Sequence, residues 1–362
     1  MRFYHASNKK APSVVVAPDG VHSRQKKAIL RAFSESALQA HERLLRPFVD
    51  ISVGRLGQIS VKKQHEFVDL TEWYNHVMFD FMSLELFGES LGCLENETNH
   101  AWVDILFSSI KAWAVLSQAN KVPAKRESEF ESDPSTFSAY MRASKDPKST
   151  LSPEEVLSNH SFMMMAGSET TATLLSGCTF FLLKHPTVYE KWSCQIRERF
   201  PSASDISFSS LAGMEFLRAV IKETLRMYPP LPLGMPRVVP NGGSIVLGRF
   251  VPEKTSVAVA SWATYHSSSN FVEPNTFAPE RWLDDSKVDG NHDIDCAMQA
   301  FSVGPRACPG KNLAFAEASL ILALLLWNFE LKLSPDCSNW ADQRAFVIWD
   351  RKPLLVKLTP RS

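Results

Sequence analysis

No Cys-x-x-Cys pair occurs in the chain, and its six cysteines (Cys93, Cys178, Cys194, Cys296, Cys308 and Cys337) lie far apart. That spacing excludes the common zinc and thioredoxin-type motifs. Six cysteines in 362 residues are also too few for a disulfide scaffold, which favours a reducing compartment. A charge excess is missing as well: 39 basic and 39 acidic residues cancel to a net charge of zero. Without a basic footprint, a nucleic-acid partner is not expected. No apolar run reaches the roughly 20 residues that span a bilayer. The most apolar stretch, 320–327, predicts a buried core helix. The opening MRFYHASNKKAPSVVV has no long apolar segment, so it predicts neither a signal peptide nor a membrane anchor. No internal repeat is visible. What is present is a composition 44% hydrophobic and 22% charged, which suits a large globular unit with a real core.

The periodicity predicts a mainly α chain with a small β portion. Apolar positions at helical spacing predict helices over 20–50, 66–90 and 100–120, with Gly88 as a C-cap. The segment 121–150 is polar, contains prolines and reads as a loop holding a short helix. Ser152-Pro153-Glu154-Glu155 is a strong helix start: an N-cap serine, proline at the first position, then acids in the first turn. That helix is expected to run to Lys184, where His185-Pro186 stops it. Further helices are expected over 187–200, 214–228 and after Cys308. Strands are expected at 244–247 and 256–260, with a closing hairpin of 345–349 and 354–358 around the turn Asp350-Arg351-Lys352-Pro353.

Three short runs carry chemistry. The first is Phe301-Ser302-Val303-Gly304-Pro305-Arg306-Ala307-Cys308-Pro309-Gly310. A lone cysteine in a glycine-rich loop precedes an apolar helix. Glycines let backbone turn tightly and approach a flat ligand. The helix start favours a thiolate, and Arg306 suits a carboxylate. A cysteine so placed could otherwise be only a buried structural thiol, but the whole pattern F-x-x-G-x-R-x-C-x-G argues for a ligand. The second run is Ala166-Gly167-Ser168-Glu169-Thr170, inside the long helix. Alone it has a bland explanation, because a helical threonine often bonds back to the preceding turn. The third is Glu223-x-x-Arg226, which on its own is a solvated ion pair worth under about 1 kcal/mol.

Taken together, these runs resemble the cytochrome P450 family, most closely its fungal secondary-metabolite members, over about 19–360. The resemblance implies the family fold as a single domain over 1–362. It implies haem b ligated through iron by Cys308, with Phe301 packed beside the sulfur and Gly304 and Gly310 shaping the loop. Arg306 and Arg237 would contact haem propionates. His22 and Lys26 stand where the family commonly has tryptophan and arginine, in the same role. Ala166 and Gly167 would leave room for O2, Thr170 would hold the oxygen and its water, and Glu169 would feed protons. Glu223, Arg226 and Arg281 would form a buried structural lock. Leu233 and Met235 would line the substrate pocket. The implied function is monooxygenation of an apolar small molecule by O2, with electrons from NADPH through cytochrome P450 reductase. The family's usual setting is the cytoplasmic face of the endoplasmic reticulum membrane, and the chain is expected to be a monomer.

The chain also departs from the family pattern. It opens just ahead of the His22 helix, whereas the pattern carries an anchor, first helices and part of the main sheet before that point. The 121–150 segment looks shortened. Pro309 has no N–H, so one possible donor to the Cys308 sulfur is missing, which predicts a shifted haem potential with ligation retained. Two alternatives therefore stand: a working monooxygenase, or a non-catalytic remnant that at most binds haem.

Overall fold

The computed structural model describes residues 11–62, 66–98, 137, 150–283 and 293–361. The expected helix over 100–120 and the loop over 121–150 lie outside the described residues, apart from positions 137 and 150. Helix α1 (Asp19–Ile29) has an acid in its first turn and Lys26 and Lys27 in its last, matching the helix dipole. A short 3-10 turn follows, and Ser34 then adopts an extended backbone. Its hydroxyl accepts the Ala37 N–H at 3.3 Å and starts α2 (Glu35–Lys62). The single helix expected over 20–50 is thus two helices, because a serine cap outcompetes helix continuation.

Strand β1 (Val68–Asp69) leads into α3 (Leu70–Phe87), capped by the Asp69 side chain at the Thr71 N–H and ended by Gly88 in the left-handed conformation. Nearly every residue of α3 is buried, so it runs through the centre of the molecule. The short α4 (Cys93–Asn96) follows. Helix α5 (Pro153–Lys184) opens with a full capping box between Ser152 and Glu155, as the sequence predicts. It is buried along most of its length against α3. Gly167 permits the close approach: a Cβ there would stand 2.7 Å from Met82 Cε on α3. Ser168 Oγ donates to the Met78 carbonyl at 3.2 Å in the same contact.

Helices α6 (Pro186–Arg199), α7 (Phe208–Leu211) and α8 (Glu215–Met227) come next. Then follow the paired short strands: β2 (Arg237–Val238) with β5 (Ser256–Val257), and β3 (Ser244–Val246) with β4 (Arg249–Val251). Helix α9 (Ser261–Tyr265) leads to the cysteine loop, and α10 (Lys311–Asn328) leaves it. The last sheet has the order β1-β7-β6, all antiparallel, with β6 at Phe329–Leu333 and β7 at Leu355–Pro360.

The expected hairpin of 345–349 with 354–358 does not form. Ala345 and Trp349 meet in one isolated bridge, and β7 instead pairs with β6 and β1. The apolar alternation of β7 was legible, but its partner lies on the far side of a long connection. Trp349 is turned inward, stacking on Tyr228 at 4.8 Å and donating to the Pro229 carbonyl.

Candidate functional site

The cysteine loop is folded by its own backbone. Ser302 and Gly304 both have positive φ, 59° and 75°. That region is natural for glycine and costly for serine, so local strain is concentrated beside the cysteine. The Cys308 N–H donates to the Phe301 carbonyl at 2.8 Å and closes the loop. Phe301 packs on Phe315 of α10, with ring centroids 5.8 Å apart. The Cys308 side chain is accessible to solvent. Desolvation by the surrounding protein raises its thiol pKa, while the Gly310 N–H and the charge of Lys26 pull it down. The donor that Pro309 cannot supply is therefore provided one residue later. A Cβ on Gly310 would crowd Phe33 Cε1 at 3.3 Å and reach 3.8 Å from the Cys308 sulfur.

The cations expected to hold carboxylates gather around this loop. Lys26 Nζ donates to the carbonyls of Pro305 at 2.5 Å and Ala307 at 3.0 Å. Arg306 bonds the carbonyls of Val15 and Ala17 and the exposed carboxylate of Asp19, the last two at 2.8 Å. His22 is buried beside them. Desolvation lowers its pKa, and the nearby charges of Arg306 and Lys26 push the same way, against Asp19. Arg237 bonds the Pro236 carbonyl at 3.0 Å and reaches Ser302 Oγ at 3.5 Å. An accessible sulfur, a glycine keeping its flank clear and a set of cations fit an iron porphyrin with two propionates. In this conformation protein carbonyls and Asp19 occupy much of the cations' donor capacity.

The helix motif divides into separate faces. Thr170 is half-buried, and its Oγ1 donates to the Ala166 carbonyl at 2.5 Å, so these two residues share one face of α5. Gly167 does not share it; its open side is filled by Met82, and it serves helix packing. Glu169 is buried in an ion pair. Its Oε2 accepts from Arg351 Nη2 at 2.5 Å, and its Oε1 accepts from Thr173 Oγ1 at 3.3 Å. The same Arg351 nitrogen donates to Asn75 Oδ1 on α3 at 2.9 Å. The acid expected to feed protons is thus committed to a cation from the C-terminal segment.

Glu223, Arg226 and Arg281 meet in a buried network. Arg226 Nε and Nη2 take the two Glu223 oxygens at 3.0 and 2.7 Å. The remaining Arg226 donors bind the carbonyls of Tyr265, Pro274 and Thr276. Arg281 Nε reaches Glu223 Oε1 at 3.1 Å, and its Nη1 pairs with Asp293. Trp282 Nε1 adds a donor to Glu223 at 2.8 Å. Sequence reasoning missed Asp293 and Trp282; the tryptophan directly after Arg281 was the available signal. Leu233 is half-exposed and Met235 half-buried, on the connector between α8 and β2.

A second buried polar cluster was also missed. His41 Nδ1 lies 2.7 Å from Glu85 Oε1, and its Nε2 lies 2.7 Å from the Ala32 carbonyl. A carbonyl only accepts, so Nε2 carries a proton and Nδ1 shares another with Glu85. Burial opposes the charged ring, but the Glu85 bond and charge outweigh it and raise the His41 pKa. Glu317 of α10 completes the cluster, accepting from Thr171 Oγ1 at 3.2 Å. Burial pushes its carboxyl up to about 8, against the opposing effects of His41 and Thr171. A lone acid inside the apolar run after Cys308 was the clue.

The cytochrome P450 family model matches residues 110–358. The cytochrome P450 monooxygenase astA of Talaromyces wortmannii is 39% identical, covering 97% of this chain and 76% of the relative. The averantin hydroxylase of Dothistroma septosporum is 35% identical, covering 97% of this chain and 72% of the relative. The crystal structure of the cytochrome P450DA heme domain superposes with a TM-score of 0.83 at 17% identity, over 97% of this chain and 80% of that one. A cysteine loop of this geometry, the Glu223–Arg226–Arg281 network and these likenesses agree: the chain belongs to the cytochrome P450 family of haem-thiolate monooxygenases.

Proposed function

We propose that Cys308 is the axial thiolate of a haem b group and that the chain oxidises an apolar small molecule in secondary-metabolite biosynthesis. The observation carrying this is the accessible Cys308 sulfur on a strained loop, flanked by the Gly310 N–H and ringed by cations. When bound, the haem supplies O2 binding and O–O cleavage, which thiolate ligation favours. In the net reaction one oxygen atom enters the substrate, and the other leaves as water with two electrons and two protons. The electrons come from NADPH through a flavoprotein reductase.

The chain's own residues supply position and protons. Lys26, Arg237, Arg306 and His22 hold the propionates, exchanging present protein acceptors for carboxylates of the same kind. Phe301 covers the sulfur side. Ala166 leaves the space beside Thr170, whose hydroxyl can leave the Ala166 carbonyl and present its proton to the site. Glu169 recharges that relay. Leu233 and Met235 contribute apolar contacts to substrate. The remnant alternative gains nothing from the relatives, which are named as monooxygenases and hydroxylases. The protein acts as a single-domain monomer at the cytoplasmic face of the endoplasmic reticulum membrane, although no helix among the described residues is long and apolar enough to cross a membrane.

Thr170→Ala tests the relay. The variant should keep its haem but divert reducing equivalents to peroxide, by roughly two orders of magnitude relative to product, the lower end of the usual scale for losing a positioned proton donor. An unchanged ratio of peroxide to NADPH consumed would remove Thr170 from the mechanism.

A further inference from the structure

Three titratable side chains are buried together among the elements that carry the proposed site. His41 of α2 and Glu85 of α3 have no exposure, and Glu317 of α10 has 3%. Each connection of this cluster leads back to that site. Glu317 stands on the helix that leaves the Cys308 loop. Thr171, which donates to Glu317 Oε2 at 3.2 Å, follows Thr170 on α5. The Ala32 carbonyl, which accepts from His41, precedes Phe33, whose ring would meet a Cβ on Gly310 at 3.3 Å. At about 1.5 Å per helical residue, Glu317 lies roughly 9 Å along α10 from its first residue, so its carboxyl is on the order of 12 Å from the Cys308 sulfur.

The charges of the cluster do not balance. Glu85 is committed at both oxygens: Oε1 lies 2.7 Å from His41 Nδ1, and Oε2 accepts the Phe137 N–H at 3.2 Å. The imidazolium of His41 thus offsets one carboxylate, and the cluster holds two. A second carboxylate ionised there would stand buried near a like charge, with the cation already taken. Burial accordingly pushes the Glu317 carboxyl up to about 8, against the pull of His41 and Thr171, with Glu85 adding to the push. The titratable groups facing Glu317 are His41 from α2 and Glu85 from α3, and Thr171 of α5 adds a hydroxyl donor. A glutamine at 317 would accept the same hydrogen bond with no group to ionise. The chain instead buries a dischargeable proton within electrostatic reach of its cysteine ligand, and perturbed groups of this kind gather at functional sites.

We propose that Glu317 is a redox-linked proton site: it binds its proton more tightly once an electron has entered the haem held by Cys308, and so offsets part of the added negative charge. This rests on the haem-thiolate reading given above. The electron comes from the flavoprotein reductase and the proton from solvent. One O–H bond forms on the Glu317 carboxylate and no bond of the chain breaks, while His41 and Glu85 keep their pair throughout. At low pH Glu317 is protonated in both redox states, and the potential is high and flat. At high pH it is ionised in both, and the potential is lower. With an effective dielectric constant of about 20, one charge roughly 12 Å away changes a proton affinity about tenfold. A tenfold difference corresponds to about 59 mV for one electron. The fall in potential is centred where Glu317 titrates, at about 8.

The test is a spectroelectrochemical titration of the haem-loaded protein across pH, comparing the parent with Glu317→Gln and Glu85→Gln. The parent's midpoint potential should fall with rising pH by about 59 mV more than that of Glu317→Gln, the equivalent of the tenfold affinity change. Reducing the parent near pH 8 should also add a protonated-carboxyl band to the infrared difference spectrum, and Glu317→Gln should lack it. Glu85→Gln frees the His41 cation for Glu317, so the fall should move to lower pH by about 1–3 units. Parallel potential curves for the parent and Glu317→Gln, or no carboxyl band in the parent, would overturn the proposal. Should Glu317→Gln fail to fold, Glu85→Gln decides: a displaced fall supports the proposal, and an undisplaced one overturns it. The reduced carbon monoxide complex of the parent checks the haem reading separately. Without its thiolate-type band both readings fall; with the band and parallel curves, only the role of Glu317 falls.

Discussion

Arg226→Ala should unfold the protein at denaturant concentrations that leave the parent folded. Both Arg226 and Glu223 are fully buried. Removing the guanidinium strips Glu223 of its bidentate partner and leaves the carbonyls of Tyr265, Pro274 and Thr276 without their donor. Breaking a buried pair from one side costs about 3–5 kcal/mol, since the other charge stays buried. That is a large share of the roughly 5–15 kcal/mol by which a folded protein is stable. Urea unfolding followed by circular dichroism measures it. Lys191→Ala is the control: it breaks a half-exposed pair with Glu280, and a surface pair contributes about 0–1 kcal/mol. Equal effects from the two variants would remove the lock role from the Glu223–Arg226–Arg281 network.

The second large effect concerns Glu317 and pH. Its carboxyl is pushed up to about 8 in the folded chain, from an ordinary value of 4.5. The folded state therefore keeps a proton that the unfolded state has already lost. Stability from this group is fully present below about pH 4.5, falls as pH rises and levels off above about 8. His41 acts in the same direction, because its raised pKa also makes the folded state hold a proton longer. The expected loss across this window is on the order of a few kcal/mol, since each tenfold difference in proton affinity between the folded and unfolded states is worth about 1.4 kcal/mol. Glu317→Gln keeps the shape and hydrogen-bonding capacity without the titration. It should flatten the dependence of the urea midpoint between about pH 4.5 and 8, the span over which this linkage acts, and leave the variant more stable than the parent at the upper end. Parallel pH curves for parent and variant would contradict this assignment.

The sequence carried local structure well. The capping box at Ser152, the proline stop at Pro186 and the left-handed cap at Gly88 are all short-range devices, and each stands where its residues imply. Long-range pairing was less legible. Strand β7 was visible as an alternating run, yet it joins β6 and β1, and no turn signal specifies partners that far apart. The site shows the same division. Glu223 and Arg226 lie three residues apart and could be read as a pair, whereas Asp293 enters from a separate segment. Arg351 looked like part of a turn, and only the folded chain brings it to Glu169. The bland explanation for Thr170, a bond back to the preceding helical turn, is the one this conformation adopts. Glu169 is likewise not a free acid but one side of a buried pair. These departures concentrate where residues distant in sequence converge.

Cys308 is the centre of the proposed chemistry, and one spectrum tests it. The reduced protein is exposed to carbon monoxide and its Soret band recorded, for the parent and for Cys308→Ala. The parent should show the red-shifted band of a thiolate-ligated haem, and the variant should lose that band while haem content is checked separately. A thiolate-type band that survives in Cys308→Ala would mean that another residue ligates the iron, and the assignment of the loop would be wrong.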